Sequence, residues 1–184
     1  MRAKGPGESA LLLLDAVAVL TDEGVEYAVI GAMAASVHGK VRASLDADAV
    51  LGVGPARLRQ LEKRFTAEHF HTELREGDAE DPVPGVLALC DAHGNQVDLL
   101  AALRGMDPAA FQRAVTIPFQ GASLRVIGRE DFIAMKLFAG GPKDLMDASA
   151  VLQAGGPPLD LELLRQLAGR FGRPTLEALE KVLV

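Results

Sequence analysis

The sequence predicts an α/β (α+β) fold, in which a mixed β-sheet is flanked by helices and followed by a helical C-terminal region. Short apolar runs rich in β-forming residues alternate with helical patterns through most of the chain. The segment Ala92–Asn95 is typical of a hairpin turn between two such runs, which indicates an antiparallel pair within the sheet. From Glu130 onward the patterns are helical, and Gly and Pro residues separate them.

Local signals justify the elements in order. Ser9 can cap the first helix and Gly24 can end it, and Pro55 suits the first turn of a later helix. Helices are expected at Ser9–Glu23, Ala32–Val37, Pro55–His69, Glu130–Ala139, Lys143–Gln153, Leu159–Gly169 and Thr175–Leu183. Strands are expected at Val25–Ile30, Asp46–Val53, Phe70–Leu74, Val86–Asp91, Gln96–Ala101 and Ser123–Ile127, with a mobile loop at Glu76–Pro84.

The length of 184 residues suits one domain, or one domain with a small helical appendage. We expect an α/β core at residues 1–128 and a helical region packed on it at residues 129–184. Aromatic residues make up only 4% of the chain, so Ala, Leu and Val must fill most of the core. The apolar run Leu11–Leu14 is followed by Asp15, which is typical of an amphipathic helix rather than a signal peptide or a membrane span.

Charge and cysteine content exclude several classes. The net charge of −6 means that the chain lacks the long-range positive field that gives broad affinity for nucleic acid. A nucleic-acid substrate would therefore need a local basic patch. The single cysteine, Cys90, excludes an internal disulfide and a cysteine-cluster metal site, which suits a reducing cytosol and predicts a cytoplasmic location.

Two acids stand at the start of the second predicted strand. Asp46 and Asp48 are two residues apart, so both side chains leave the same face. Carboxylates held side by side repel each other unless a cation lies between them, and a hard dication such as Mg²⁺ suits oxygen ligands. The pair by itself is more typical of solvated turn or strand-end residues than of a metal site.

Two further features strengthen the metal interpretation. Asp98 lies in a predicted strand between Val97 and Leu99, where a carboxylate is costly unless it is paired or bound to metal. Gly31 lies at a strand-to-helix junction, where the N–H groups of Ala32 and its neighbours could bind an anion. Three acids on adjacent strands beside such a turn predict a two-metal phosphoryl-transfer site.

The segment Val29–Asp48 resembles the signature of minimal nucleotidyltransferases of the DNA polymerase beta-like superfamily. That signature is a hydrophobic strand, Gly followed by Gly or Ser, a short helix ending His-Gly, and then Arg-x-Ser/Thr-x-Asp-x-Asp. The segment is especially similar to the branch that includes abortive-infection toxins of toxin–antitoxin pairs and many other bacterial proteins. Residues Glu130–Lys136 and Pro142–Asp147 resemble the Lys and Lys-Asp-x-x-Asp motifs of the same branch.

The resemblance implies a nucleotidyltransferase-like fold, Mg²⁺ or Mn²⁺ as cofactor and a nucleoside triphosphate (NTP) as substrate. It implies that Asp46 and Asp48 ligate metal at the triphosphate, and that Asp98 completes a second metal site near the attacking hydroxyl. Asp144 and Asp147 would orient the two lysines of the motifs. The implied nucleotide-binding residues are Gly31, Ala32, Arg42, Ser44, Lys136 and Lys143. One position departs from the pattern, because the family has Gly or Ser where this chain has Ala32, whose methyl group restricts the backbone and offers no hydroxyl.

For several residues a purely structural role stays open beside the functional one. His38 can act in the site or pack at a helix end, and Arg42 can neutralise the acids or form a plain ion pair. The Lys136 ammonium group can bind phosphate, or the side chain can extend along the core so that the ammonium group reaches solvent. Asp144 and Asp147 can orient the lysines, or they can simply face solvent at the start of a helix. The helical cluster Arg57, Arg59, Lys63 and Arg64 can contact RNA or only solvent.

The expected function is metal-dependent transfer of a nucleoside monophosphate from an NTP to a hydroxyl of a protein, a tRNA end or a small molecule. The toxin resemblance implies a toxin–antitoxin or phage-defence setting with an antitoxin protein as partner, and expression without any slowing of growth would count against it. The main alternative, favoured by Ala32, is a nucleotidyltransferase-like binding or protein-interaction module without turnover. A metal-dependent phosphohydrolase is a third possibility.

Overall fold

The structure is a computed structural model, and it describes residues 1–78 and 80–183. Within these residues the chain forms eight helices and seven strands. The helices are α1 (Ser9–Asp22), α2 (Gly31–Val37), α3 (Pro55–Ala67), α4 (Ala110–Arg113), α5 (Arg129–Ala139), α6 (Pro142–Gln153), α7 (Leu161–Arg170) and α8 (Arg173–Leu183). The strands are β1 (Tyr27–Val29), β2 (Asp46–Leu51), β3 (His71–Glu76), β4 (Gly85–Cys90), β5 (Gln96–Ala101), β6 (Val115–Phe119) and β7 (Ala122–Val126).

All seven strands join one mixed sheet with the order β3-β4-β5-β2-β1-β7-β6. Strands β3, β4 and β5 form an antiparallel meander, and β5 then pairs in parallel with β2. On the other side, β2 is antiparallel to β1, which pairs in parallel with β7. The predicted mixed sheet with flanking helices is therefore confirmed, as is the helical region that follows it.

The meander has one buried face and one accessible face. Leu87 and Leu89 of β4 are fully buried, as are Val97 and Leu99 of β5. The residues between them are only partly buried, because successive side chains of a strand point to opposite faces. Helix α3 packs against β3 and β4, and α1 packs against β2 and β5. The residues of β4 and β5 that alternate with the buried ones are left facing the other side, toward solvent.

Helices α5 to α8 form a packed group after the sheet, in which α5 contacts α6, α7 and α8. Leu, Ala and Val side chains make up most of the buried core, as the low aromatic content predicts. Among the described residues, no helix combines the length and apolar content that crossing a bilayer requires.

The structure adds two elements that the local patterns do not predict, α4 and β6. Helix α4 has only four residues. Strand β6 is an edge strand in which Val115, Ile117 and Phe119 alternate with Thr116 and Pro118. The pattern is only five residues long and contains a proline, which a central strand does not tolerate. Gln120 and Gly121, with φ of 49° and 76°, form the tight turn into β7.

At helix α1, one predicted terminus is wrong and the other is confirmed. The cap is Glu8, not Ser9, and Ser9 is the first helical residue. The Ser9 hydroxyl donates to the carbonyl oxygen of Leu45 at 2.5 Å and accepts from the N–H of Gln96 at 3.1 Å. Ser9 therefore ties the start of α1 to the entrances of β2 and β5. Gly24 ends the helix with a φ of 63°, as predicted.

Candidate active site

The pairing of β2 with β5 brings the three predicted acids together. Asp48 lies directly opposite Asp98 in the parallel register, and Asp46 precedes Asp48 by two residues on the same face. Each of the three carboxylates offers an oxygen that lies within 4.8 Å of the corresponding oxygens of the other two. The predicted convergence of the three acids is confirmed.

The three carboxylates differ in their surroundings. The Ser44 hydroxyl donates to Asp46 Oδ1, and the Gln96 side-chain amide donates to Asp98 Oδ1 at 2.8 Å. Asp48 lies between the other two acids, and burial, followed by the charges of Asp46 and Asp98, raises its pKa to about 6. The cluster is thus short of positive charge at neutral pH. A donor set of three carboxylates under mutual repulsion fits a hard divalent cation such as Mg²⁺ or Mn²⁺.

The sequence-based reason for singling out Asp98 needs correction. Asp98 was expected to be embedded in an apolar strand, but Val97 and Leu99 point to the buried face of the sheet. Asp98 points to the accessible face and is only partly buried. The acid is therefore not forced to bind metal by an apolar environment. The neighbouring carboxylates supply the electrostatic reason instead.

Gly31 packs directly against the central acid. Its φ is 62°, and a Cβ atom built on it would lie 2.0 Å from Asp48 Oδ2. Both the left-handed backbone conformation and the close approach of the carboxylate exclude any residue with a side chain. The N–H of Ile30 also donates to the carbonyl oxygen of Asp48 at 2.9 Å. The turn before α2 and the acid cluster are therefore one structural unit.

A cavity of about 450 Å³ opens beside the acids. Its polar lining includes seven of the nine predicted site residues: Gly31, Arg42, Ser44, Asp46, Asp48, Lys136 and Lys143. Its apolar lining includes Leu103, Phe132, Met135 and Phe138. The cavity thus combines cationic side chains with an apolar surface, and this volume is within the range of small-ligand sites.

The two remaining predicted residues lie elsewhere. Asp98 faces an adjacent groove of about 490 Å³ that Asp48 also lines. Ala32 is buried and lines a neighbouring cavity of about 330 Å³, which shares Arg42, Ser44 and Asp46 with the first cavity. The methyl group of Ala32 is therefore absent from the lining of the first cavity.

A buried carboxylate on α6 links two cations of the cavity. Asp147 is 1% exposed, and its Oδ2 atom lies 3.2 Å from Arg42 Nε and 3.5 Å from Lys136 Nζ. Asp144 Oδ1 lies 2.6 Å from Lys136 Nζ. The solvated helix start proposed for these two acids is thus wrong for Asp147. Lys143, on the first turn of α6, is exposed and lines the same cavity.

Arg42 has unused hydrogen-bond donors. Its Nε and Nη1 atoms are buried, and neither has a hydrogen-bond partner among the described residues, because the contact with Asp147 has poor alignment. A buried donor without an acceptor is costly. Since Arg42 lines the first cavity, an anionic ligand there would supply the missing acceptors.

His38 and the basic cluster on α3 have structural roles. His38 Nε2 lies 2.8 Å from the carbonyl oxygen of Ile127, and the ring packs near Phe132. Burial lowers the pKa of His38, so the neutral ring donates through Nε2. On α3, Arg57 and Arg64 pair with Glu23, and Arg59 pairs with Glu76. Three of the four basic residues of this cluster are therefore ion-paired within the fold.

Gln96 is a site residue that the sequence reasoning missed. Its side chain orients Asp98, and it occupies the same face of β5. The two-residue spacing between Gln96 and Asp98 was the available signal. It would have predicted the shared face once the strand was assigned.

Comparisons with known proteins agree with this architecture. No family model and no curated sequence matches the chain. A nucleotidyltransferase-like antigenic protein of Paracoccidioides brasiliensis is similar in structure, with a TM-score of 0.59, 18% identity and coverage of 98% of this chain and 90% of that one. ANT(2″)-Ia in complex with adenylyl-2″-tobramycin has a TM-score of 0.58 and 14% identity, covering 88% of this chain and 95% of that one.

The chain has a nucleotidyltransferase-like fold. The lincosamide antibiotic adenylyltransferase LnuA, solved with lincomycin bound, is also similar, with a TM-score of 0.50 and 14% identity over 82% of this chain and 99% of that one. At these identities the similarity establishes the fold and leaves the chemistry to be argued from the site itself. Within the nucleotidyltransferase-like fold of this chain, that site is the acid cluster with its adjoining cavity.

We expect Gly31→Ala to destabilise the protein more than the same change at Gly24. Both glycines have φ near 60°, so both variants bear the strain of a left-handed alanine, about 1–2 kcal/mol. Only at Gly31 does the new methyl group meet Asp48, whereas nothing lies within 4 Å of it at Gly24. Urea denaturation should give the larger loss for Gly31→Ala, together with weaker Mn²⁺ binding by calorimetry. Equal losses and unchanged Mn²⁺ binding would contradict the close packing.

We expect Asp48→Asn to stabilise the metal-free protein at pH 7.5 by about 1–3 kcal/mol. The pKa of Asp48 is raised to about 6 in the folded chain, so the folded state binds a proton more tightly than the unfolded state. The contribution of this group to stability is therefore present at low pH and is lost as pH rises toward 6 and above. The gain from the substitution should shrink at pH 5.

Urea denaturation at both pH values with chelator present measures this effect. Asp22→Asn, at an exposed position of α1, is the matched control and should change little. A loss of stability for Asp48→Asn at pH 7.5 would contradict the mutual repulsion of the acids.

Proposed function

We propose that this chain is a metal-dependent nucleotidyltransferase that moves a nucleoside monophosphate from an NTP to an acceptor hydroxyl and releases pyrophosphate. The observation that carries the proposal is the convergence of Asp46, Asp48 and Asp98 at the wall of a cavity that also presents Arg42 and Lys136. Similar solved structures support it, since one was solved with an adenylylated tobramycin and another is an antibiotic adenylyltransferase.

The three carboxylates would hold Mg²⁺ or Mn²⁺. When bound, a divalent cation supplies charge neutralisation at the acids and polarises the phosphate oxygens of the nucleotide. Two observations favour this assignment: the acids lie within 4.8 Å of one another, and burial, followed by the charges of Asp46 and Asp98, raises the pKa of Asp48 to about 6. Ser44 and Gln96 hold the outer two acids in place through hydrogen bonds.

The first cavity fits the nucleotide. Arg42, Lys136 and Lys143 are the cations of this cavity, and Asp144 and Asp147 offset part of the charge of Arg42 and Lys136. Arg42 Nη1 is buried and has no hydrogen-bond partner among the described residues. Met135 and Phe138 supply apolar surface for a nucleobase. Asp147 holds Arg42 and Lys136 on the same side of the cavity, so the two cations meet the phosphates in a fixed arrangement.

In the transfer step, the acceptor oxygen forms a bond to the α-phosphorus while the bond from this phosphorus to the β-bridging oxygen breaks. Pyrophosphate leaves with that electron pair. Asp98 faces the adjoining groove, where it can accept the proton of the attacking hydroxyl. The Gln96 amide fixes the carboxylate of Asp98 for this contact.

The wider setting stays a prediction. A toxin–antitoxin or phage-defence role, with an antitoxin protein as partner in a bacterial cytoplasm, rests on the motif resemblance in residues Val29–Asp48 and Glu130–Asp147. The binding module without turnover rested on Ala32. Because the methyl group of Ala32 lines a different cavity, it does not obstruct the proposed nucleotide site.

Incubation with α-labelled NTPs and Mg²⁺ should give pyrophosphate and a labelled acceptor. Chelator should abolish the transfer, and Asp46→Asn or Asp98→Asn should reduce it by about a hundredfold or more. Asp22→Asn controls for the loss of one surface carboxylate and should retain full transfer. NTP binding without pyrophosphate release would support the binding module instead. Release of free labelled monophosphate without a labelled acceptor would support a phosphohydrolase.

We expect Asp147→Asn to weaken NTP binding about tenfold, because Arg42 and Lys136 lose the carboxylate that holds them. Titration with a non-hydrolysable NTP analogue measures the change. Asp144→Asn is the matched comparison and should have a smaller effect, since among the described residues Asp144 forms an ion pair with Lys136 and none with Arg42. If Asp147 merely offset the positive charge of the cavity, its replacement would instead tighten binding.

A further inference from the structure

The register of four neighbouring strands lays one row of side chains across the accessible face of the sheet. Glu73 of β3 lies opposite Ala88 of β4, Ala88 lies opposite Asp98 of β5, and Asp98 lies opposite Asp48 of β2. Directly opposed residues share a face, so the row runs from an isolated carboxylate to two acids of the cluster. Two strand spacings separate Glu73 from Asp98, which is about 10 Å.

This row crosses the second groove, which has a volume of about 490 Å³. The small side chain of Ala88 leaves space in the groove between Glu73 and Asp98. The groove and the first cavity meet at Asp48, Val83 and Leu100, which line both. A molecule in the groove therefore reaches the acids while a nucleotide occupies the first cavity.

The charges in the groove differ from those in the first cavity. The first cavity is lined by three cations, Arg42, Lys136 and Lys143, and by the two acids Asp46 and Asp48. The groove is lined by the three carboxylates of Asp48, Glu73 and Asp98 and by one cation, Arg75. Glu73 is exposed. Arg75 lies two residues further along β3 on the same face, and among the described residues the two side chains form no ion pair. Cations bound at the cluster would leave Glu73 as the unneutralised acid of the groove.

We infer that this groove is the acceptor site, and that the acceptor is a small hydroxylated amine whose protonated nitrogen pairs with Glu73 while its hydroxyl lies at Asp98. The inference rests on the proposed nucleotidyltransferase function. The backbone positions of Glu73 and Asp98 lie two strand spacings apart, about 10 Å, so a ligand between their carboxylates presents its amine and its hydroxyl at opposite ends. A polyanionic acceptor such as tRNA is disfavoured, because the groove is acidic and the chain carries a net charge of −6.

The bond changes are those of the proposed transfer. The acceptor hydroxyl oxygen bonds to the α-phosphorus, pyrophosphate departs with the electrons of the broken bond, and the hydroxyl proton passes to the carboxylate of Asp98. Glu73 takes no part in the chemistry. It determines specificity by binding the distant ammonium group through a charge-assisted hydrogen bond.

The test compares amino sugars with their N-acetylated counterparts, which keep the hydroxyls but lose the positive charge. Pyrophosphate release and product mass are measured with NTP and Mg²⁺, and bulk tRNA is included as a third acceptor class. Free amines should be the better substrates. Glu73→Gln should raise KM for the amine about tenfold with little change in kcat and unchanged NTP binding, and Glu73→Asp should restore part of the loss.

Two controls keep the outcomes separate. Glu162→Gln, at an exposed site on α7, should leave every parameter unchanged. Ala88→Leu should fill the groove and abolish transfer while NTP binding persists. Transfer to N-acetylated sugars or to tRNA as efficient as to amines, or an unchanged KM in Glu73→Gln, would overturn the acceptor inference alone. Absence of transfer to every acceptor, despite NTP binding, would contradict the proposed function itself.

Discussion

The parallel pairing of β2 with β5 is the constraint on which the candidate site depends. It fixes Asp48 opposite Asp98, with Asp46 two residues away on the same face, and the backbone hydrogen bonds of the sheet prevent the like charges from separating. Gly31 closes the remaining space, since the Asp48 carboxylate occupies the volume where a Cβ would lie. Burial, followed by the repulsion from Asp46 and Asp98, therefore raises the pKa of Asp48 and leaves a site that a cation stabilises.

The same acid cluster divides the surface into two chemically different halves. On one side, helices α5 and α6 bring Lys136 and Lys143 to a cavity, and Asp147 holds Lys136 beside Arg42. On the other side, the accessible face of β3, β4 and β5 offers carboxylates and small side chains. The helices that follow the sheet therefore complete one half of the site, and the meander supplies the other.

The elements were predictable where their signals are local. The hairpin signal at Ala92–Asn95 identified β4 and β5 on its two sides, and Gly24 marked the end of α1. Edge strand β6 escaped prediction because its pattern spans only five residues and contains Pro118, which is typical of an edge position or of no strand at all. The capping role assigned to Ser9 was wrong because the hydroxyl bonds instead to Leu45 and Gln96, which are distant in sequence.

The sequence by itself determined the local chemistry of this protein: the spacing that puts Asp46 and Asp48 on one face, the glycine beside them and the Lys-Asp motif near Lys136. Only the tertiary structure decided which groups meet. Strand register placed Glu73 in line with Asp98, and helix packing buried Asp147 against Arg42. These contacts join residues far apart in the chain, and local periodicity carries no information about them, because the packing of whole elements sets their distances.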